Sequence, residues 1–545
     1  TGTIYLSPSR KPSIPLKDAN NHPTKSFNRC YSSKIAGRVV CFNKNYFLLF
    51  RDMVFIVAVI IILVFVLWGA FFPETLASGS TQLLNLTTEK FGWFYLLATF
   101  GFLIFSAYLA FSKYGAIKLG ADDDEPEYSG KTWFAMLFSA GMGIGLVFWG
   151  AAEPVSHYMN PPQGATPQTA EAARLAMRYS FFHWGLHAWS IYTVIGLAIA
   201  YFTFRKKRSG LISSVFYPLI GEKVNGTLGK TIDILAIIAT VFGVATSLGL
   251  GTLQINGGAH QLLGVPNSIN TQLMIIVVVT ILYLISATTG LDKGIKILSN
   301  TNLGIAAVLL VFVLFVGPTS FIFDVFTTTI GSYLQNLVQM SLRLTPFSQG
   351  SWIKSWTLFY WAWWIAWAPF VGMFIARVSK GRTIKEFVLG VLLVPSLFGF
   401  LWFSVFGGTA LNLELFHNGK IAEAAQVDVT SALFNTLQQL PIGNILSIIA
   451  TLLIITFFIT SADSATFVLG MLSSKGTQNP PTKTKLIWGI LQSSIAAILL
   501  ASGGLQGLQT ASIIAAVPFS VIMVFMCYSL FLALESDTKG KKKGN

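Results

Sequence analysis

Ser139-Ala140-Gly141-Met142-Gly143-Ile144-Gly145 interrupts an otherwise apolar run over 133–152. Three glycines at alternate positions are a poor way to build a membrane helix. Each costs about 1 kcal/mol relative to alanine, and none holds the backbone to helical geometry. Non-helical backbone at membrane depth persists only where it is buried in protein or lines a cavity. The stretch therefore predicts a broken span and a point of contact with a solute. Its neighbouring spans become candidate walls of a binding site.

Composition agrees with a membrane setting. Of 545 residues, 53% are hydrophobic and 11% charged, against about 25% charged in soluble domains. The formal net charge is +15, but the basic residues lie in short loops between apolar runs and at both ends. There they act as topology signals and lipid-headgroup contacts, not as a nucleic-acid surface. Cys30, Cys41 and Cys527 have no metal-ligand spacing and imply no disulfide framework.

Apolar runs of roughly 18 residues or more read as spans. Twelve occur, near 53–72, 92–112, 132–152, 180–204, 231–254, 271–289, 302–323, 355–377, 386–409, 444–470, 485–502 and 511–534. They make residues 47–534 one all-α integral membrane domain. Residues 1–46, polar, basic and dotted with Ser and Pro, predict a disordered tail, and no signal peptide is expected in them. Residues 535–545 form a short basic tail. The segment 324–351, amphipathic and interrupted by Pro346, predicts an interfacial helix. Basic loops at 205–208, 293–296, 377–385 and 475–485 fall on one side of this arrangement, while 73–90 and 411–440 are poor in Lys and Arg. Both termini are thereby expected in the cytoplasm of a multi-pass cell-membrane protein.

A second interruption is expected in Trp361-Ala362-Trp363-Trp364-Ile365-Ala366-Trp367-Ala368-Pro369-Phe370, where Pro369 removes a backbone donor and disfavours helix at Ala368. Breaks five spans apart point to an inverted-repeat transporter with a midplane site. Spans 3–7 and 8–12 would be the repeats, with spans 1 and 2 outside them.

Three constellations carry chemistry. Trp184, Trp189 and Tyr192 fall within an arc of roughly 140° on a continuous helix, and Trp363, Trp364 and Trp367 stand beside Pro369. Aromatic cages recognise quaternary ammonium ions, which have no N–H to donate; lipid contact or helix packing is the plainer use of such rings. N–H groups exposed at Gly141, Met142, Gly143 and Gly145 suit a carboxylate, although glycines so spaced also serve close helix packing. Cage and anion pole together describe a zwitterion of glycine-betaine type. The third constellation is Phe457-Phe458-Ile459-Thr460-Ser461-Ala462-Asp463-Ser464. Hydroxyls and carbonyls at a helix break are hard oxygen ligands for Na⁺, with hydroxyl bonding to the helix backbone as the alternative. Both oxygens meet one ion only if the helix departs from regularity. Thr240 and Ser247 supply further hydroxyls. Glu153 and Asp463 near span ends are either functional or paired with Lys or Arg. His183 and His187, at i, i+4, lack acidic partners nearby for a metal. Without a nucleophile elbow, P-loop or paired carboxylates, no enzyme is expected and no cofactor beyond Na⁺ as coupling ion.

Residues 141–154 (Gly-Met-Gly-Ile-Gly-Leu-Val-Phe-Trp-Gly-Ala-Ala-Glu-Pro), 182–192, 359–377 and Thr460-Ser461-Ala462-Asp463-Ser464 resemble the betaine/choline/carnitine transporter (BCCT) family, closest to its sodium-coupled betaine members. The resemblance covers about 46–534. It implies a leucine-transporter-like 5+5 inverted repeat after two extra N-terminal helices, assembled as a homotrimer. The family's aromatic box maps onto Trp184, Trp189, Tyr192 and Trp364, with Trp367 along the substrate path. Its sodium site maps onto the Thr460 and Ser461 hydroxyls with carbonyls of Ser139, Met142 and Phe457. A second sodium site maps onto Thr240 and Phe370, with Ser247 nearby; Val244 stands where the family has a second threonine and offers no oxygen. The function implied is import of a quaternary ammonium osmolyte, glycine betaine first, by sodium symport with alternating access. Choline or carnitine transport, coupled to protons or not, and a non-transporting sensor are the alternatives.

Overall fold

The computed structural model describes residues 31–35, 38–42, 53–141, 143–289, 292–348 and 350–543, and the chain divides into two units, 1–53 and 54–545. In the first, strands β1 (Tyr31–Ile35) and β2 (Arg38–Phe42) pair antiparallel, Tyr31 opposite Phe42 and Ile35 opposite Arg38. The rest of the expected tail lies outside the described residues.

The second unit is helical. In chain order it contains α1 (Met53–Phe71), α2 (Pro73–Phe111), α3 (Gly130–Gly141), α4 (Ile144–Met159), α5 (Ala170–Trp184) and α6 (Leu186–Ala200). Then come α7 (Thr227–Leu263), α8 (Ile269–Thr289), α9 (Asp292–Val316), α10 (Thr319–Ser341), α11 (Phe359–Val378) and α12 (Ile384–His417). After two short helices, Ile421–Val427 and Ser431–Gln438, α13 (Gly443–Ser473) and α14 (Thr482–Lys543) close the chain. Among the described residues, ten helical stretches are long and apolar enough to cross a membrane. The broken α3–α4 pair is not among them, because each half is short. The last stretch counts once, although Gly504 (φ 53°, ψ −139°) interrupts α14 between the two runs read from sequence.

Burial separates walls from site. The most apolar windows of α1 and α8 are 17% and 22% buried, whereas those of Ala170–Arg205, α7 and Lys354–Val378 are 94%, 83% and 83% buried. The outer helices present apolar side chains where lipid would be; the inner ones bury nearly everything against one another.

Of the two expected interruptions one is present and the other is not, and a third appears where none was expected. The break in the third span is present: α3 stops at Gly141, Gly143 is fully extended (φ −166°, ψ −178°), and α4 starts at Ile144. The fourth span, expected as continuous, is broken at Gly185 (φ −93°, ψ −141°). There a Cβ would lie 2.6 Å from the Phe181 carbonyl oxygen and 2.8 Å from the Phe400 ring, so the tight passage from α5 to α6 needs glycine. The eighth span is the reverse case: α11 runs unbroken through Pro369. A missing donor is tolerated in a membrane helix whose neighbours enclose it, and irregularity appears instead as a π-helical turn, Lys354–Leu358. The helix expected over 324–351 starts earlier, directly after Pro318, and ends at Ser341, before Pro346 is reached.

Candidate functional site

Trp184 ends α5, Trp189 and Tyr192 lie in the first turns of α6, and Trp364 projects from α11. Because Gly185 separates α5 from α6, the rings are brought together by a turn, not by sharing one continuous helix face. Trp364 meets Trp184 edge-to-face at 4.8 Å and 78°, and Tyr192 at 6.1 Å and 79°. Trp189 meets Tyr192 at 5.4 Å and 74°. Trp363 stacks behind Trp364 at 4.9 Å and 17°. The four rings retain 4–8% of their surface exposed, whereas Tyr360 and Trp361 retain none. Trp361 packs away from them, stacked on His187 at 5.4 Å.

The break also supplies anchoring. The last carbonyls of α5 have no intrahelical partner, and that of His183 accepts the Trp364 indole N–H at 2.9 Å. On the other side, Trp356, Tyr360 and Trp364 stack at 6.4 Å (23°) and 6.0 Å (26°). This ladder starts at a cavity of about 340 Å³ bordered by Trp149, Trp356, Asn160, Gln426 and Gln509.

The glycine break faces the same rings. A Cβ on Gly145 would stand 2.6 Å from Trp363 Cη2 and 3.2 Å from Trp184 Cη2, while one on Gly143 would meet nothing within 4 Å. Gly143 therefore borders open space, and Gly145 lets the rings close on the backbone. Leu146 and Val147 N–H groups both reach the Gly143 carbonyl, at 3.2 and 3.4 Å. The N–H groups preceding them begin α4 without an intrahelical partner. Gly141 ends α3; Met142, and the side chains of residues 138–141 including Ser139, lie outside the described residues.

Glu153 corrects an expectation. It belongs to the body of α4, is fully buried, and none of its four hydrogen-bond partners is Lys or Arg. Its Oε1 takes His183 Nδ1 at 2.7 Å and His157 Nε2 at 3.1 Å. Its Oε2 takes the Trp184 indole N–H at 2.8 Å and the Tyr360 hydroxyl. An acid at i−4 from a histidine within an apolar run was the available signal. His187, in contrast, bonds the Ser341 hydroxyl at 2.8 Å, so the i, i+4 histidines diverge. The facing ligand atoms of Glu153, His157 and His183 lie within 4.8 Å of one another, and they are already bonded among themselves.

The hydroxyl-bearing residues fall into two groups. α13 is regular through Thr460 and Ser461, without the local departure that would turn both oxygens to one side. Thr460 Oγ1 donates to the carbonyls of Thr456 (3.0 Å) or Phe457 (3.2 Å), and Asn302 Nδ2 of α9 approaches it at 3.4 Å. Asn302, fully buried, escaped the sequence reading. In the second group, Thr240, Val244 and Ser247 share a face of α7 at i, i+4, i+7. Thr240 donates to the Ala236 carbonyl at 2.7 Å. Ser247 accepts indole N–H groups of Trp367 (2.9 Å) and Trp363 (3.3 Å), and Trp367 meets Phe370 at 5.0 Å. Ser247 thus ties α7 to the tryptophans of α11.

The sequence profile of the betaine/carnitine/choline family transporter (BCCT) matches residues 53–539. The chain is 54% identical over 493 residues to the glycine betaine transporter OpuD of Bacillus subtilis, covering 90% of this chain and 96% of that protein. It is 51% identical to the ectoine/hydroxyectoine transporter of Virgibacillus pantothenticus (90% and 98% covered). It is 49% identical to a probable glycine betaine transporter of Desulfitobacterium hafniense (89% and 98%).

Proposed function

This chain belongs to the betaine/carnitine/choline family of membrane transporters, and on that premise we propose that it imports glycine betaine by sodium symport with alternating access. The observation that carries the reading is the box of Trp184, Trp189, Tyr192 and Trp364 set against the glycine break, with Trp184 touching the space a Gly145 side chain would fill. The trimethylammonium head sits among the rings, each desolvated face contributing roughly 0.5–2 kcal/mol. The carboxylate turns to the unpartnered N–H groups at the start of α4, where the helix dipole adds about 0.3–1 kcal/mol. Trp363 and Trp367 back the box and line the path from it.

The coupling ion in this reading binds between the broken third span and α13, on the Thr460 hydroxyl and carbonyls of Ser139, Met142 and Phe457; the Ser461 hydroxyl joins it only in a state of the cycle in which α13, regular here, opens locally. Thr240, Ser247 and Phe370 belong to a weaker second position, because Val244 lacks an oxygen. One Na⁺ moving inward gains about 2.3 kcal/mol per 100 mV. The architecture proposed is twelve crossings: ten long stretches, the broken α3–α4 pair, and the division of α14 at Gly504. Spans 3–7 and 8–12 form the inverted repeats of a homotrimer with cytoplasmic termini. Membrane lipids cover its outer helices.

The ectoine/hydroxyectoine transporter at 51% identity favours a second reading, in which a delocalised amidinium ring occupies the same box; choline would use the box without the anion pole. Uptake of labelled glycine betaine by salt-stressed cells lacking their own osmolyte importers separates these. Uptake resisted by neither choline nor ectoine at equal concentration supports the proposal. Uptake of ectoine or choline in place of betaine overturns it.

A further inference from the structure

Resting on that reading, we propose that Glu153 is a specificity-determining residue of the box: its carboxylate holds Trp184 and Tyr360, and its charge behind Trp184 makes the box prefer a cationic head to an uncharged one of equal shape. Four groups converge on one fully buried carboxylate. The Trp184 indole is donor only, and an ionised carboxylate is acceptor only, so the set is matched with Glu153 ionised. The residue also reaches a second wall of the box, since His183, bonded through Nδ1 to Glu153, gives its carbonyl to Trp364. His183 Nε2 continues the chain to the Thr357 hydroxyl at 3.0 Å. Two of the four box rings, Trp184 of α5 and Trp364 of α11, therefore take their orientation from this carboxylate.

Charge adds to position. A hydrogen bond from an indole N–H to an anion pushes electron density onto the ring, and hydrogen-bonded groups in a low-dielectric interior polarise one another. The face of Trp184 opposite a cationic head becomes more negative, which strengthens cation–π attraction. The anion also attracts the cation directly, poorly screened at this depth. A purely structural Glu153 would hold the rings equally well for a neutral guest.

The discriminating pair is glycine betaine and 3,3-dimethylbutanoate, which replaces the quaternary nitrogen by carbon and keeps the carboxylate. Binding of each to the purified full-length protein is measured by calorimetry. Glu153→Gln, which keeps an acceptor for Trp184 and loses the charge, should lower the preference for betaine about tenfold, the size of one strong cation–π contact. Its affinity for the carbon isostere should stay near that of the unmodified protein. Tyr360→Phe removes one donor and leaves the charge, so the preference should persist. That variant tests the proposal even where Glu153→Gln does not fold. Equal weakening of both ligands by Glu153→Gln, or loss of preference in Tyr360→Phe, overturns the role while betaine binding by the unmodified protein stands. Failure of the unmodified protein to bind betaine overturns the functional reading and this inference together.

Discussion

Replacing Trp364 by Leu removes the ring around which the box is arranged. Trp364 is the contact shared by Trp184 at 4.8 Å, Tyr192 at 6.1 Å and Trp363 at 4.9 Å. Its loss deletes one aromatic face worth roughly 0.5–2 kcal/mol to a desolvated cation. At about 1.4 kcal/mol per decade, that weakens binding about 2- to 30-fold. It also releases the edges of Trp184 and Tyr192 and leaves the buried His183 carbonyl without its indole donor, which costs about 1–3 kcal/mol in stability. The upper part of the range is therefore expected, on the order of tenfold or more. Trp364→Phe keeps a smaller aromatic face and loses the N–H, so its betaine affinity should lie between the two. Calorimetric titration of betaine, with thermal unfolding of the same samples, separates the contributions. A Trp364→Leu protein that unfolds at a lower temperature yet binds betaine as tightly as the unmodified chain would refute the box.

Gly145→Ala places a methyl 2.6 Å from Trp363 Cη2 and 3.2 Å from Trp184 Cη2; the rings must shift, so betaine binding should fall on the order of tenfold or more, as for a lost box contact. Native affinity in this variant would show that Gly145 does not set the box. Thr460→Ala should raise the sodium concentration for half-maximal uptake several-fold and leave betaine affinity at saturating sodium nearly unchanged; an unaltered sodium titration would count against Thr460 as a ligand. Pro369→Ala should retain transport and gain stability, because α11 is continuous through this position and alanine restores a backbone donor. Loss of transport would mean that a break at Pro369 forms during the cycle.

The membrane class and the positions of the helices were legible because long apolar runs admit little else. The break after Gly141 was legible too, since three alternate glycines cannot be explained as one tolerated residue. Gly185 was not. A lone glycine in an apolar run costs about 1 kcal/mol and is common in membrane helices; what ends α5 is the crowding of Phe400 and the Phe181 carbonyl, a tertiary fact. Pro369 misled in the opposite sense, because it is buried among neighbouring helices, and that enclosure lets a helix pass a proline. Site residue types could be named in advance, whereas their partners could not. Nothing in the spacing of Glu153, Trp184 and Tyr360 says that they meet. Ser247 reads as a spare hydroxyl until two indole N–H groups are seen to converge on it.

The central claim is tested most directly by uptake of labelled glycine betaine into proteoliposomes containing the purified protein, with an inward sodium gradient and with potassium replacing sodium. Sodium symport of betaine gives concentrative uptake that requires sodium, rises with an inside-negative potential, and is resisted by neither choline nor ectoine at equal concentration. Uptake that proceeds equally without sodium, or accumulation driven only by a proton gradient, would contradict it.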